Sequence, residues 1–202
     1  MKNNFLRKMI KVTVILIGIL LVAFIFIQIF AMKSQKNIES YAYTVDKKYD
    51  YFEIRSYKAS LFTSIKLPMK DYKNASNKGF SILAGYIFGG NDRNEKISMT
   101  SPVSISLEDS MRVMFLVPKK FNKKSLPIPN QTQIEFREEP IKTVAAITFG
   151  GFANDEKIKK YKEKLIKSLN DQGIKHTSVF YFLGYNPPFE AFNRRNEVIV
   201  EI

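Results

Sequence analysis

Between Val12 and Met32 the chain carries no charged residue. At about 1.5 Å of rise per residue, a helix of that length reaches roughly 30 Å, the hydrocarbon thickness of a bilayer. The run therefore reads as a transmembrane anchor over residues 12–32. A cleaved signal peptide is the rival reading, yet its apolar region normally spans about 7 to 15 residues and ends in a small-x-small site. This run is longer and ends Ile29-Phe30-Ala31-Met32. A buried core helix is the third alternative. Lys2, Arg7, Lys8 and Lys11 precede the run, while Lys33 and Lys36 follow it. That asymmetry puts the basic N-terminus, residues 1–11, in the cytoplasm and the remainder outside it, although Lys47 and Lys48 blunt the contrast.

The 202 residues are 45% apolar and 25% charged, which suits one globular domain plus this appendage and argues against a disordered chain. Of 32 Lys and Arg, 28 remain once the four before the anchor are set aside, against 19 Asp and Glu, a net +9. Such an excess raises nucleic acid or an anionic membrane surface as partners. Much of it is Lys157, Lys159, Lys160, Lys162, Lys164 and Lys167, opposite the apolar stripe of one helical segment. A solvated helix face accounts for that cluster, with attraction to anionic lipid beside the anchor as the alternative. No nucleic-acid partner is expected.

The chain has no cysteine, which removes a lipid-modified cysteine anchor, thiol nucleophiles, thiolate zinc sites and iron-sulfur clusters, and leaves the redox compartment undecided. His176 is the one histidine, so no multi-histidine metal site can be built and a Ser-His-Asp triad would have to use it. Gly89-Gly90 and Gly150-Gly151 lack the lysine and spacing of a phosphate loop and read as caps and tight turns. No catalytic residue is assigned.

Offset by 82 residues, the chain aligns with itself: Glu53 with Glu135, Arg55 with Arg137, Phe62 with Val144, Ile65 with Ile147, Leu83 with Leu165 and Ile97 with Val179. Each half, about 49–118 and 132–202, then reads strand, strand, helix, strand, strand, as two copies of one unit. In the first half, Asp71 is the expected N-cap of a helix with apolar Tyr72, Phe80, Leu83 and Ile87, and Gly89-Gly90 ends it. Gly79 and Gly85 inside that helix each cost about 1 kcal/mol relative to Ala, a sign that something approaches the backbone closely. Ile97, Met99, Val103, Ile105 and Leu107 alternate with polar residues as in a half-buried strand, with Pro102 marking an edge or bulge. In the second half Asn154 caps a helix with stripe Ile158, Tyr161, Leu165 and Leu169, ended by Gly173. Eight short strands and two flanking helices predict an α+β fold, a largely antiparallel sheet curled into a distorted barrel with helices outside. Residues 33–48 are polar without periodicity and read as a linker between the anchor and the domain at 49–202.

Gly184-Tyr185-Asn186-Pro187-Pro188, followed by Arg194-Arg195-Asn196-Glu197-Val198, resembles the C-terminal signature of the SOUL heme-binding family. Three further blocks stand in the order of that resemblance: Tyr86-Ile87-Phe88-Gly89-Gly90-Asn91, Lys96-Ile97-Ser98-Met99-Thr100-Ser101-Pro102-Val103 and Phe149-Gly150-Gly151-Phe152. The resemblance implies a distorted barrel with pseudo-twofold symmetry and a heme or related porphyrin as ligand, in a cleft beside the first helix of the domain. Transferred by motif position, its apolar wall is Phe80, Leu83, Ala84 and Ile87 with Met99, while Lys66 or Lys70 meets the propionates. A core role is the plain alternative for each of these residues, because any helix packs such side chains onto its sheet. His176, in a loop after Gly173, is the candidate axial ligand, with an exposed loop histidine as the default. Arg194, Arg195 and Glu197 could contact a ligand carboxylate, but a structural ion pair with Glu190, Glu135 or Glu138 is the preferred reading. The function implied is a membrane-anchored, non-catalytic carrier or buffer of tetrapyrrole. A tetrapyrrole-modifying enzyme that removes iron or opens the ring is the alternative, disfavoured by the scarcity of acid-base groups. Binding of another hydrophobic small molecule is the third, since duplicated barrels of this type resemble multidrug-sensing regulator domains.

Overall fold

Long apolar and alternating segments dictate the elements seen in the computed structural model, which describes residues 2–35 and 38–202. Met1, Lys36 and Asn37 lie outside the described residues, as do the side chains of residues 2–6, 8 and 31–35, Lys2, Lys8 and Lys33 among them. The chain divides into two units, one formed by α1 (Lys2–Gln35) with Pro187–Phe192, the other by Ile38–Asn186 with Asn193–Ile202. Within α1, Met9–Phe30 is a helix long and apolar enough to cross a membrane. Its Thr13 hydroxyl is satisfied inside the helix, donating to the Met9 carbonyl at 3.0 Å.

The second unit is built from β1 (Tyr43–Lys48), β2 (Glu53–Tyr57), β3 (Ser60–Lys66), α2 (Tyr72–Ile87), β4 (Val103–Ser106), β5 (Arg112–Leu116), β6 (Glu135–Glu139), β7 (Lys142–Phe149), α3 (Asp155–Asp171), β8 (Phe180–Gly184) and β9 (Asn196–Glu201). All nine strands form one antiparallel sheet in the order β1-β2-β7-β9-β8-β4-β5-β3-β6. The sheet curls into a half-barrel with β1 and β6 at its edges, the curled antiparallel α+β architecture expected, with nine strands where eight were expected. The ninth strand, β1, takes up residues 43–48 at the end of the stretch read as a linker. It pairs with β2 from Tyr43↔Tyr57 to Lys48↔Glu53. As an edge strand exposed on nearly all its length it has no buried face, hence no apolar alternation to betray it. The expected strand over 97–107 forms a ladder only from Val103 to Ser106, because Pro102 has no N–H to donate.

Alternation along the strands gives the sheet two buried faces. Ile54, Ile65, Ile105, Val113, Phe115, Ile147, Phe182 and Val198 share one core with the inward stripes of both helices, Leu83 from α2 and Leu165 and Leu169 from α3. Tyr57, Phe62, Met114, Leu116, Val144, Ala146, Leu183 and Ile199 form a second core on the opposite face, with Tyr41. α2 lies against β3 and β5, and α3 against β7 and β9. Both helices start on the expected caps: the Asp71 carboxylate accepts from Asn74 N–H at 2.9 Å, and the Asn154 side-chain oxygen from Lys157 N–H at 2.8 Å.

Candidate functional site

α2 sits so close to the sheet that a Cβ at Gly79 would overlap the Val113 side chain of β5. That approach explains one of its two glycines and encloses what lies between the layers. Leu83 is 0% exposed, and Ala84 and Ile87 are buried with it. Phe80, one turn before Ala84, is 37% exposed and sets its ring edge-on to Phe115 at 5.3 Å. Met99 is half-buried against the same core. The segment carrying it runs beside β5, where the Thr100 hydroxyl donates to Leu116 O at 2.6 Å. Phe80 thus meets β5 through Phe115 and Met99 precedes the residue bonded at the end of that strand, while Leu83, Ala84 and Ile87 are buried in the core.

The expected cations do not gather at Met99's end of β5. Lys66 is opposite Arg112, at the start of β5, whereas Thr100 bonds Leu116 at its end, four residues and about 13 Å further along the strand. Lys70 is exposed and reaches Asp109 at 3.6 Å. At Met99's end of β5 the chain instead supplies Lys120, whose Nζ lies 4.8 Å over the half-buried Phe121 ring. Nothing in the sequence singled out Lys120, because the 119–133 connector has no periodicity to place it. A flat macrocycle needs apolar surface with a cation at its lip; Phe80 and Met99 offer partly exposed apolar surface, Leu83, Ala84 and Ile87 are enclosed, and Lys120 with Phe121 stands in the connector after β5.

His176 lies in the connection from α3 to β8. Its Nδ1 is 2.6 Å from Thr177 O and its ring is edge-on to Phe180 at 5.4 Å. With Asn170, Gly173, Ile174 and Lys175 it lines an open hollow of about 450 Å³ at the end of α3. α3 packs on β7 and β9 and α2 on β3 and β5, so His176 stands with α3, over other strands than those beneath α2. Among the described residues no three His, Asp or Glu side chains gather as metal ligands.

The signature residues build a buried polar knot on the second face. Glu197 is 0% exposed and its carboxylate accepts five hydrogen bonds: from Arg55 at 2.9 Å, Tyr185 at 2.8 Å, Thr148 at 3.1 Å, and Arg195 through Nε at 3.0 Å and Nη2 at 2.7 Å. Burial pushes the Glu197 pKa up, but Arg55 and Arg195 outweigh it and hold the group below its ordinary value. A carboxylate with its lone pairs occupied in this way is an anion held in place, and has no capacity left to act as a base. The ion pair expected with Glu190, Glu135 or Glu138 is, for Arg195, one with Glu197 two residues on. Around it, Asn186 Oδ1 accepts from Arg195 N–H at 2.7 Å, Asn196 donates to Gly151 O at 2.7 Å, Arg194 lies 4.5 Å over the Phe152 ring, and Ser101 donates to Tyr185 O at 3.2 Å. Three of the four sequence blocks therefore meet at one place. The fourth is fixed by Asn91, which is buried, donates to Tyr86 O and Glu95 O, and accepts from Arg93 and Glu95 N–H. Beside the knot, the Tyr41 and Tyr57 rings lie 4.4 Å apart, tilted by 45°, with hydroxyls that make no hydrogen bond of normal geometry. Burial, then Glu197, pushes Tyr57 up to about 12.

The model of the SOUL heme-binding protein family matches residues 38–201. A Xenopus laevis protein called heme-binding protein 1 is 28% identical over 155 residues, covering 73% of this chain and 81% of its own length. Heme-binding protein 2 of Mus musculus is 28% identical over 163 residues, covering 76% and 79%. Among solved structures, the EcmrR C-terminal domain superposes with a TM-score of 0.60 at 12% identity, over 76% of this chain and 98% of that one. At that identity the likeness is one of fold. The chain belongs to the SOUL heme-binding protein family.

Proposed function

We propose that this protein is a membrane-anchored, non-catalytic module that binds heme or a related tetrapyrrole, as a carrier or buffer. The observation that carries the reading is the family match over residues 38–201, with relatives named for heme binding. Phe80 and Met99 offer the first apolar contact, Leu83, Ala84 and Ile87 the surface uncovered as α2 lifts, and Lys66 or Lys70, or Lys120 at Met99's end, a partner for propionates. Bound heme would supply its iron and its colour; the chain's own residues bind and orient it. The saturated carboxylate of Glu197 and the half-buried, solitary His176 support a holding role over turnover. Met9–Phe30 serves as the anchor, with residues 1–11 cytoplasmic and the domain extracytoplasmic.

We also infer that the two halves of the domain are copies of one unit. Exchanging β2–β5 with β6–β9 reproduces the strand order from β2 to β6 read from its other end. Leu83 and Leu165, aligned by the 82-residue offset, are both fully buried helix residues.

The test is a hemin titration of the full chain in lipid nanodiscs, with empty nanodiscs subtracted. A Soret shift that saturates near one equivalent supports heme binding. Uptake indistinguishable from that of the empty discs overturns it.

A further inference from the structure

From Val14 to Phe30 the apolar helix holds a single polar side chain, Gln28. An unpaired amide in hydrocarbon is costly. Gln28 is 5% exposed while nearly all of the span around it faces outward. Its amide is used at both ends by the backbone of Pro187–Phe192: Nε2 donates to Phe189 O at 3.0 Å, and Oε1 accepts from Ala191 N–H at 2.9 Å. One turn earlier, Phe24 meets Phe192 edge to face, with ring centroids 6.4 Å apart. The loop is thus seated on the last two turns of the apolar span.

Its chemistry suits lipid. Irregular backbone is tolerated at membrane depth only where its polar groups are paired. Pro187 and Pro188 bring no N–H at all. The Glu190 N–H donates to Pro187 O at 3.2 Å, and the Ala191 N–H is taken by Gln28. Glu190, the one charged residue of the loop, is buried, whereas Phe189 and Phe192 are each 57% exposed. Gln28 lies two residues and Phe24 six residues from Phe30, about 3 and 9 Å along the helix axis, the depth at which amphipathic segments rest in a bilayer.

We propose that Pro187–Phe192 is a lipid-inserting loop, with Phe189 and Phe192 entering the leaflet at the C-terminal end of the span and Gln28 as the latch that fixes the loop to the anchor. The inference rests on the anchoring reading above. It gives the protein a second membrane contact, made by the segment that joins β8 to β9.

The chain contains no tryptophan, so one introduced residue reports alone. Full-length Phe189→Trp and Leu20→Trp proteins, reconstituted separately in vesicles of zwitterionic lipid with or without bromine on the acyl chains, distinguish the outcomes. Both emissions are expected to be lost to brominated lipid, with Leu20→Trp insensitive to aqueous iodide. Quenching of Leu20→Trp by lipid while Phe189→Trp responds only to iodide overturns the loop insertion and leaves the anchor standing. Phe189→Trp shielded from both quenchers means the loop is covered by protein, such as a second copy of the chain, and overturns it as well. Failure of lipid to quench Leu20→Trp removes the anchor and the loop proposal together. Adding Gln28→Leu to Phe189→Trp is expected to shift its quenching from lipid towards iodide while Leu20→Trp is unchanged; unaltered lipid quenching overturns the latch.

Discussion

Glu197 shows how a single residue can hold the inner face of the sheet together. Arg55 is 3% exposed and depends on Glu197 and Glu53 for its charge partners. Removing the carboxylate leaves that guanidinium with Glu53 alone, and breaking a buried pair in this way costs about 3 to 5 kcal/mol. Glu197→Ala is therefore expected to lower the unfolding free energy measured in urea by about 3 to 5 kcal/mol. The same carboxylate sets a pH dependence. Its folded pKa is below the ordinary 4.5, as is that of Glu139, where burial is outweighed by Lys142 and Arg137. Depressed carboxylates add stability that is complete above the unfolded value and is lost as pH falls through the folded one. Stability should hold from pH 7 down to about 4.5 and fall below it, and the fall should be shallower in Glu197→Gln. An equally steep acid loss in that variant would contradict the assignment. The sequence showed Arg55 and Glu53 alternating with Phe52 and Ile54, a pattern that reads as a wet face. It hid a second core because Arg55, Arg195 and Glu197 satisfy one another there, and their partners lie 142 and 2 residues apart.

At the scale of elements, what was legible had a period or a cap. α2 and α3 begin on Asp71 and Asn154 because short polar side chains take up free N–H groups, and that chemistry is local. β1 was not legible because no buried face imposes alternation on it, and the opening between β1 and β6 was not because edge pairing depends on curvature that no single strand encodes. The two glycines of α2 looked alike in the sequence and differ in the structure. A Cβ at Gly79 overlaps Val113, whereas one at Gly85 meets nothing within 4 Å. Gly79→Ala is expected to destabilise by about 1 to 3 kcal/mol through overpacking. Gly85→Ala is expected to be neutral or to stabilise by up to about 1 kcal/mol, the helix-propensity difference. Thermal unfolding of the two variants side by side checks the contrast, and loss of stability in Gly85→Ala would show that the open space beside it is required.

For the molecule as a whole, the long apolar helix and the family were readable before any coordinates, the first from length and charge, the second from four short blocks. The site was only half readable. Motif position led to α2, but whether a helix residue faces a ligand or the sheet is decided by how closely the layers approach, and Gly79 brings them together until Leu83, Ala84 and Ile87 are enclosed. Phe80 and Met99 remain near the surface. His176 stands with α3 instead. These placements give two rival locations for a bound pigment on one protein. The decisive measurement is hemin affinity, by Soret titration in nanodiscs, of the wild type beside Phe80→Asp and His176→Ala, each first shown to unfold like the wild type. A site at α2 predicts saturable binding weakened by Phe80→Asp and unmoved by His176→Ala; binding weakened by His176→Ala and indifferent to Phe80→Asp would contradict it.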